Sequence, residues 1–313
     1  MTASPAPAKP VLSLGDRVFS RSAVFAGSMI LVTLAAVAIF LIARSLPAFA
    51  ATDETASLLD GSFWAYVGPL IFGTVWAAAL ALLIALPLSI GIALFISHYA
   101  PRQLAQVLGY IVDLLAAVPS VVFGLWGIGV LAPAVRPVYT WLNEHLGWIP
   151  LFAGTATGTG RTILTAAIVL AVMILPIMTA ICREVFLQAP ALHEEAALAL
   201  GATRWEMIRL AVLPFGRPGI VSAAMLGLGR ALGETMAVAM VLSATGVVSF
   251  KLLTSENPST IAANIALSFP EAYGENINVL IATGLILFIV TFLVNAVARW
   301  IISRRAEFSG AAG

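Results

Sequence analysis

The chain has 313 residues, 61% of them hydrophobic and 10% charged, with a mean hydropathy of +1.02. Soluble domains carry about 25% charged residues, so this composition excludes an ordinary cytoplasmic enzyme, a nucleic-acid binder and a disordered chain. The formal charge of +1 is nearly balanced, so its placement is more informative than its total.

In chain order, residues 1–21, with Pro5, Pro7 and Pro10, read as a flexible cytoplasmic tail. A hydrocarbon core about 30 Å thick needs about 20 apolar residues of helix, and six stretches supply them: 23–43, 70–97, 107–131, 162–186, 219–242 and 279–302. Backbone polar groups find no water partner in lipid, so the reading is an all-α membrane protein with six transmembrane helices. Residues 22–65 hold the first helix and an external loop, 66–303 the transmembrane core, and 304–313 a cytoplasmic tail. Ala48-Phe49-Ala50 has the form of a signal cleavage site. The preceding apolar run, about 21 residues, exceeds the 7–15 of a signal peptide, so it reads as an uncleaved anchor.

With the N-terminus inside, the inner segments hold eleven basic residues, from Lys9 to Arg305, and the outer ones four: Arg44, Arg136, Arg161 and Lys251. That asymmetry puts both termini in the cytoplasm. Asp113, Arg230 and Glu234 fall within the spans. Pro87, Pro119 and Pro176 are expected to kink spans two, three and four. The segments 44–66, 132–161 and 246–277 are external loops. The stretch 155–162, Thr-Ala-Thr-Gly-Thr-Gly-Arg-Thr, lacks the first glycine and the lysine of a phosphate-binding loop and follows no strand. It reads as a flexible Gly/Thr loop, so no nucleotide site is expected in this chain.

The inner loop 187–218 is longer than the 2–8 residues usual between bundle helices. Pro190 opens a first short helix and Gly201 closes it. Thr203 and Glu206 form a capping box for a second, with Trp205, Ile208 and Val212 on one face and Pro214 as its stop. Two exposed short helices joined by a glycine turn read either as a membrane-surface connector or as a docking element. In span five, Arg230 lies roughly 16–17 Å deep, at 1.5 Å per residue. A charge at that depth costs about 2.5–3.5 kcal/mol on insertion scales. Glu234 stands at i+4, on the same face, among Gly227, Gly229, Ala231 and Gly233. The pair reads either as a structural lock or as an anion site on a translocation path, for which the guanidinium fork suits a tetrahedral oxyanion. Asp113 is a lesser candidate for the same path. An embedded enzyme finds no support. Cys182 lacks a neighbouring base, Ser120 a partner, and His98, His145 and His193 show no ligand spacing.

Glu195-Ala196-Ala197, Gly201 six positions after the glutamate, and Leu213-Pro214 at the loop end resemble the EAA loop of ABC-importer permeases, with Ala211 where that family has isoleucine. The run Gly229-Arg230-Ala231-Leu232-Gly233-Glu234-Thr235-Met236-Ala237-Val238 resembles phosphate-importer permeases of the PstC type. Pro87 to Phe95 and Val118 to Trp126 agree with it, and the resemblance spans about 66–303. It implies a type I ABC importer permease core, MetI-like, in the bacterial inner membrane. It further implies docking of the EAA loop on separate ABC ATPase subunits, a second permease subunit of the PstA type, a periplasmic phosphate-binding protein and inorganic phosphate as substrate. No cofactor is implied. A permease for another oxyanion, molybdate or sulfate, or the PstA-type partner itself, is the alternative, and a membrane sensor or scaffold is a further class.

Overall fold

The computed structural model describes residues 14–52, 54–59 and 61–309, with the backbone alone at 14 and 301–309. Residues 1–13, with Lys9, and 310–313 of the expected tails lie outside the described residues. The helices in chain order are α1 (Leu14–Ser45), α2 (Phe63–Leu94), α3 (Arg102–Ala116), α4 (Ser120–Trp126), α5 (Ala132–Leu146), α6 (Ile163–Leu187), α7 (Ala191–Ala199), α8 (Arg204–Met207), α9 (Leu213–Leu232), α10 (Met236–Val241), α11 (Ile261–Ser268) and α12 (Glu275–Ser309). Wide π turns at Phe95–Tyr99, Gly127–Leu131 and Ile208–Val212 extend α2 and join α4 to α5 and α8 to α9. Among the described residues extended backbone pairs only at two isolated bridges, Thr52 with Ser62 and Ala244 with Asn257.

Among the described residues six helical runs are long and apolar enough to cross a membrane: Gly15–Ala50, Phe63–Tyr99, Ser120–Leu146, Ile163–Leu187, Arg204–Leu232 and Glu275–Trp300. The expected number of spans is present, but two are displaced. The third begins at Ser120 rather than 107, because Pro119 interrupts the chain instead of kinking a helix. It takes an extended ψ of 141° and stands as the N-cap of α4. Proline has no N–H for an upstream carbonyl and pushes the residue before it out of helical geometry. Residues 132–146, expected as external loop, are helical and complete that span. Pro87 and Pro176 do lie inside helices. At the ends, 14–21 belong to α1 and the backbone stays helical through Ser309.

α6 is the hub. Two thirds of its apolar window is buried, against a third or less in each other span. α2, α3 and α9 pack on it. α2 offers Ala77, Ala78, Ala81 and Ala85, all essentially fully buried, and such small side chains let helix backbones approach without a hydrophobic drive from water. α9 does the same through Gly227, where an added Cβ would stand 2.7 Å from Met178 Sδ. A second cluster of Ala48, Phe63, Val67, Ile261, Val279 and Ala282 joins the Pro47–Ala50 turn to α2, α11 and α12. α1 packs on α12 and on the Pro47–Ala50 turn, and its apolar window is otherwise exposed.

Candidate functional site

The stretch 219–242, expected as span five, is not one continuous helix, and the membrane-length run Arg204–Leu232 ends where it breaks. α9 ends at Leu232 and α10 begins at Met236. In an unbroken helix the Ala237 N–H would bond the Gly233 carbonyl, four residues back. Here both groups are taken by neighbouring side chains. Glu234 Oε1 accepts from Ala237 N at 3.1 Å, and Thr235 Oγ1 donates to Gly233 O at 3.2 Å. Glycine is the weakest helix former after proline, so the break falls where resistance is least. Gly-Glu-Thr is therefore a local instruction to interrupt the span.

Arg230 and Glu234 consequently form no ion pair, although their i, i+4 spacing allows one. Glu234, 8% exposed, is engaged with α10. Its negative charge sits at the helix start, where the partial charge of the backbone is positive. Arg230 is half-buried in the last turn of α9. Its Nε is shielded from solvent and has no hydrogen-bond partner. Among the described residues its guanidinium meets no carboxylate within ion-pair distance. An unfilled guanidinium donor near the end of an apolar span is what an anion site requires. α10 is pressed against α4 at Gly124, where an added Cβ would stand 3.0 Å from Ala237 Cα and 2.8 Å from Met240 Sδ.

Asp113 does not join them. It lies on α3, ahead of the third span, and its carboxylate is 3.7 Å from Arg183 Nη2 on α6. With its side chain over half exposed, that pair adds little to stability.

The loop between α6 and α9 folds as two short helices. Pro190 precedes α7, and Gly201 turns the chain at φ +84°, a left-handed conformation that side-chain-bearing residues adopt only with strain. The capping box is complete. Thr203 Oγ1 accepts from Glu206 N at 3.3 Å, and Glu206 Oε2 accepts from Thr203 N at 2.8 Å. Glu195 and Ala196 are exposed and Ala197 is half-buried. Ile208 and Val212 are fully buried, but Trp205 faces out with Leu192 and Leu200, so the expected single face is split. Leu213 is half-buried and Pro214 exposed. Pro214 does not stop the helix. It falls in the first turn of α9, after the π turn Ile208–Val212, where its missing N–H breaks no established ladder. α8 and α9 therefore form one rod.

Residues that the sequence reading did not single out tie this loop to the spans. His98, in the π turn after α2, is 3.5 Å from Glu194 of α7. The Ser97 hydroxyl donates to Ala93 O at 2.8 Å and so accepts from His98 Nδ1 at 2.7 Å. Arg204 lies over the Tyr99 ring, 5.7 Å from its centroid. At the opposite end of the bundle, the Gly/Thr stretch is built in rather than loose. Thr157 N donates to Leu253 O at 2.9 Å, Thr162 caps α6, and Arg161 Nη2 donates to Met240 O at 3.1 Å and Leu242 O at 3.5 Å. Asn257, which has no motif around it, joins this network through Ile163 N and the Arg161 carbonyl, and only the folded chain reveals it.

The family described as binding-protein-dependent transport system inner membrane component matches residues 85–307. The chain is 47% identical over 297 residues to a Mycobacterium tuberculosis protein named phosphate transport system permease protein PstC 2, covering 91% of each. It is 41% identical over 311 residues to the phosphate transport system permease protein PstC of Mesorhizobium japonicum, covering 96% of this chain and 93% of that one. Among solved structures, an inward-facing MetNI methionine ABC transporter chain aligns with TM-score 0.53 at 17% identity, covering 76% of this chain and 94% of that one. A bacterial transporter importing the acidic polysaccharide alginate aligns with TM-score 0.55 at 18% identity, covering 75% and 78%. These two likenesses are of fold.

Proposed function

The chain belongs to the family of binding-protein-dependent transport system inner membrane components, and we propose that it is the permease subunit that passes inorganic phosphate inward for an ATP-driven importer. The observation that carries this reading is Arg230, a half-buried guanidinium with an unpartnered Nε beside the helix break near the end of a span. The relatives named as phosphate permeases supply the substrate. Arg230 takes the phosphate oxygens with a planar fork, and Glu234, one break away, keeps the site from becoming a deep trap, since a path must release what it binds. The termini and the α7–α8 loop lie in the cytoplasm. Exposed Leu192, Leu200 and Trp205, with Glu195, Ala196 and Gly201, offer a face for an ABC ATPase that hydrolyses the nucleotide. A PstA-type permease completes the path, and a periplasmic phosphate-binding protein delivers the ion. Because α8, the π turn and α9 are one rod, movement of the docked loop reaches Arg230 without a flexible link.

The test is Arg230→Gln in the complex reconstituted with its ATPase, second permease and binding protein. Uptake of radiolabelled phosphate should fall by at least about a hundredfold, as for loss of a charge-assisted interaction made in the rate-determining state, while all subunits still co-purify. Uptake within twofold of the parent would remove Arg230 from the path.

A further inference from the structure

We propose that Arg161 is a positioning residue that holds the helix break of span five open and so keeps Glu234 off Arg230. The proposal rests on the reading of Arg230 as the anion site. It concerns a different residue, on the loop before α6.

α10 has six residues, too few to persist as a helix unaided. Both its ends are held by charged side chains of the sign its backbone dipole favours. Glu234 holds the start, and Arg161 holds the finish through the carbonyls of Met240 and Leu242. The mount of Arg161 is firm. Its carbonyl accepts from Asn257 Nδ2 at 3.3 Å, and the same amide group donates to Ser243 O at 3.1 Å. Asn257 Oδ1 accepts from Ile163 N at 3.0 Å, and Asn257 is fully buried. The chain leaving α10 is thereby fastened to the first turn of α6, the most buried span. Arg161 Nε is itself buried without a partner, and among the described residues no carboxylate lies within ion-pair distance of it. This guanidinium is spent on carbonyl oxygens alone.

The alternative conformation is defined by the same atoms. If residues 233–235 rewound, Ala237 N would bond Gly233 O and Glu234 would be released, one turn above Arg230 on a common face. The pair would then form and fill the guanidinium. Rewinding also draws α10 toward α9, because a helical residue advances about 1.5 Å and a non-helical one more. The carbonyls of Met240 and Leu242 would leave Arg161. The Arg161 contacts and the Arg230–Glu234 pair therefore exclude one another, and Arg161 biases the span toward the open, anion-accepting form.

Hydrogen exchange of the assembled importer in nanodiscs, followed over residues 230–242, tests this. In Arg161→Ala the amides of 235 and 236, which a rewound turn newly bonds to the carbonyls of 231 and 232, should exchange about fivefold more slowly than in the parent, the factor that one newly formed backbone hydrogen bond supplies. Arg161→Lys, which keeps a cation in reach of the carbonyls, should keep the parent pattern. Damage that is only structural would do the opposite and speed exchange through α10. Unchanged or faster exchange at 235 and 236 in Arg161→Ala overturns the proposal. Arg161→Gln gives the same reading should the alanine variant not assemble. Phosphate uptake by the parent complex, measured beside it, reports on the anion reading separately, since the exchange pattern does not depend on which anion is carried.

Discussion

A carboxylate that is 8% exposed between two helices needs a donor, and Glu234 has two within the reach of its local sequence: the Ala237 N–H and the Arg230 guanidinium. In the structure it takes the first. Its i, i+4 spacing from Arg230 was legible in the sequence as an opportunity for pairing, but spacing alone cannot say which donor is used. That depends on whether the backbone between them stays helical, and Gly233 and Thr235 decide it does not. Replacing Glu234 with Gln separates the two functions of the side chain. The amide oxygen can still accept from Ala237 N, so the break should persist, but the negative charge beside Arg230 is gone. Phosphate should then be released more slowly, with the maximal uptake rate falling about tenfold at saturating binding protein while the half-saturating concentration does not rise. A maximal rate equal to the parent's, in the same proteoliposome assay, would mean that the Glu234 charge has no part in release.

At the scale of elements, the loop 187–218 was the most readable part of the chain outside the spans. Its signals are local. A proline, a glycine in left-handed geometry and a Thr/Glu capping box each act over three or four residues, and the folded chain uses all three as expected. Pro214 escaped because its effect depends on the π turn before it, which has no sequence signature of comparable strength. Gly201 offers a clean test, since an added Cβ there meets nothing within 4 Å of the chain itself. Gly201→Val should therefore act through backbone strain of about 1–2 kcal/mol and through the partner it meets. Gly201→Asn, whose side chain tolerates left-handed geometry, should act much less. Co-purification of the ATPase should fall about tenfold for the valine variant, the factor matching that strain. Equal recovery with both variants would argue that the turn does not shape the docking face.

For the whole molecule, the arrangement follows from α6 standing at the centre and its neighbours meeting it with small residues. Two glycines of α9 separate close packing from mere smallness. A Cβ at Gly227 would press on Met178, while one at Gly229 would meet nothing within 4 Å. Gly227→Leu should cost about 1–3 kcal/mol by overpacking and lower the apparent Tm in detergent by about 2–5 °C. Gly229→Leu should leave it within about a degree. Equal shifts would show that α9 does not bear on α6 through this face. The number of spans, the charge asymmetry, the two-helix form of the loop 187–218 and the Arg230 and Glu234 positions were all determined by the sequence by itself, because apolar length and local caps need no distant partner. Where the third and fifth spans begin and break, which donor Glu234 takes, and the fastening of Arg161 and Asn257 to the chain beyond α10 were decided only by the tertiary structure. Each of those outcomes turns on a hydrogen bond or a packing contact whose alternative lies within the same few residues. The free-energy difference between the alternatives is set by elements far away along the chain.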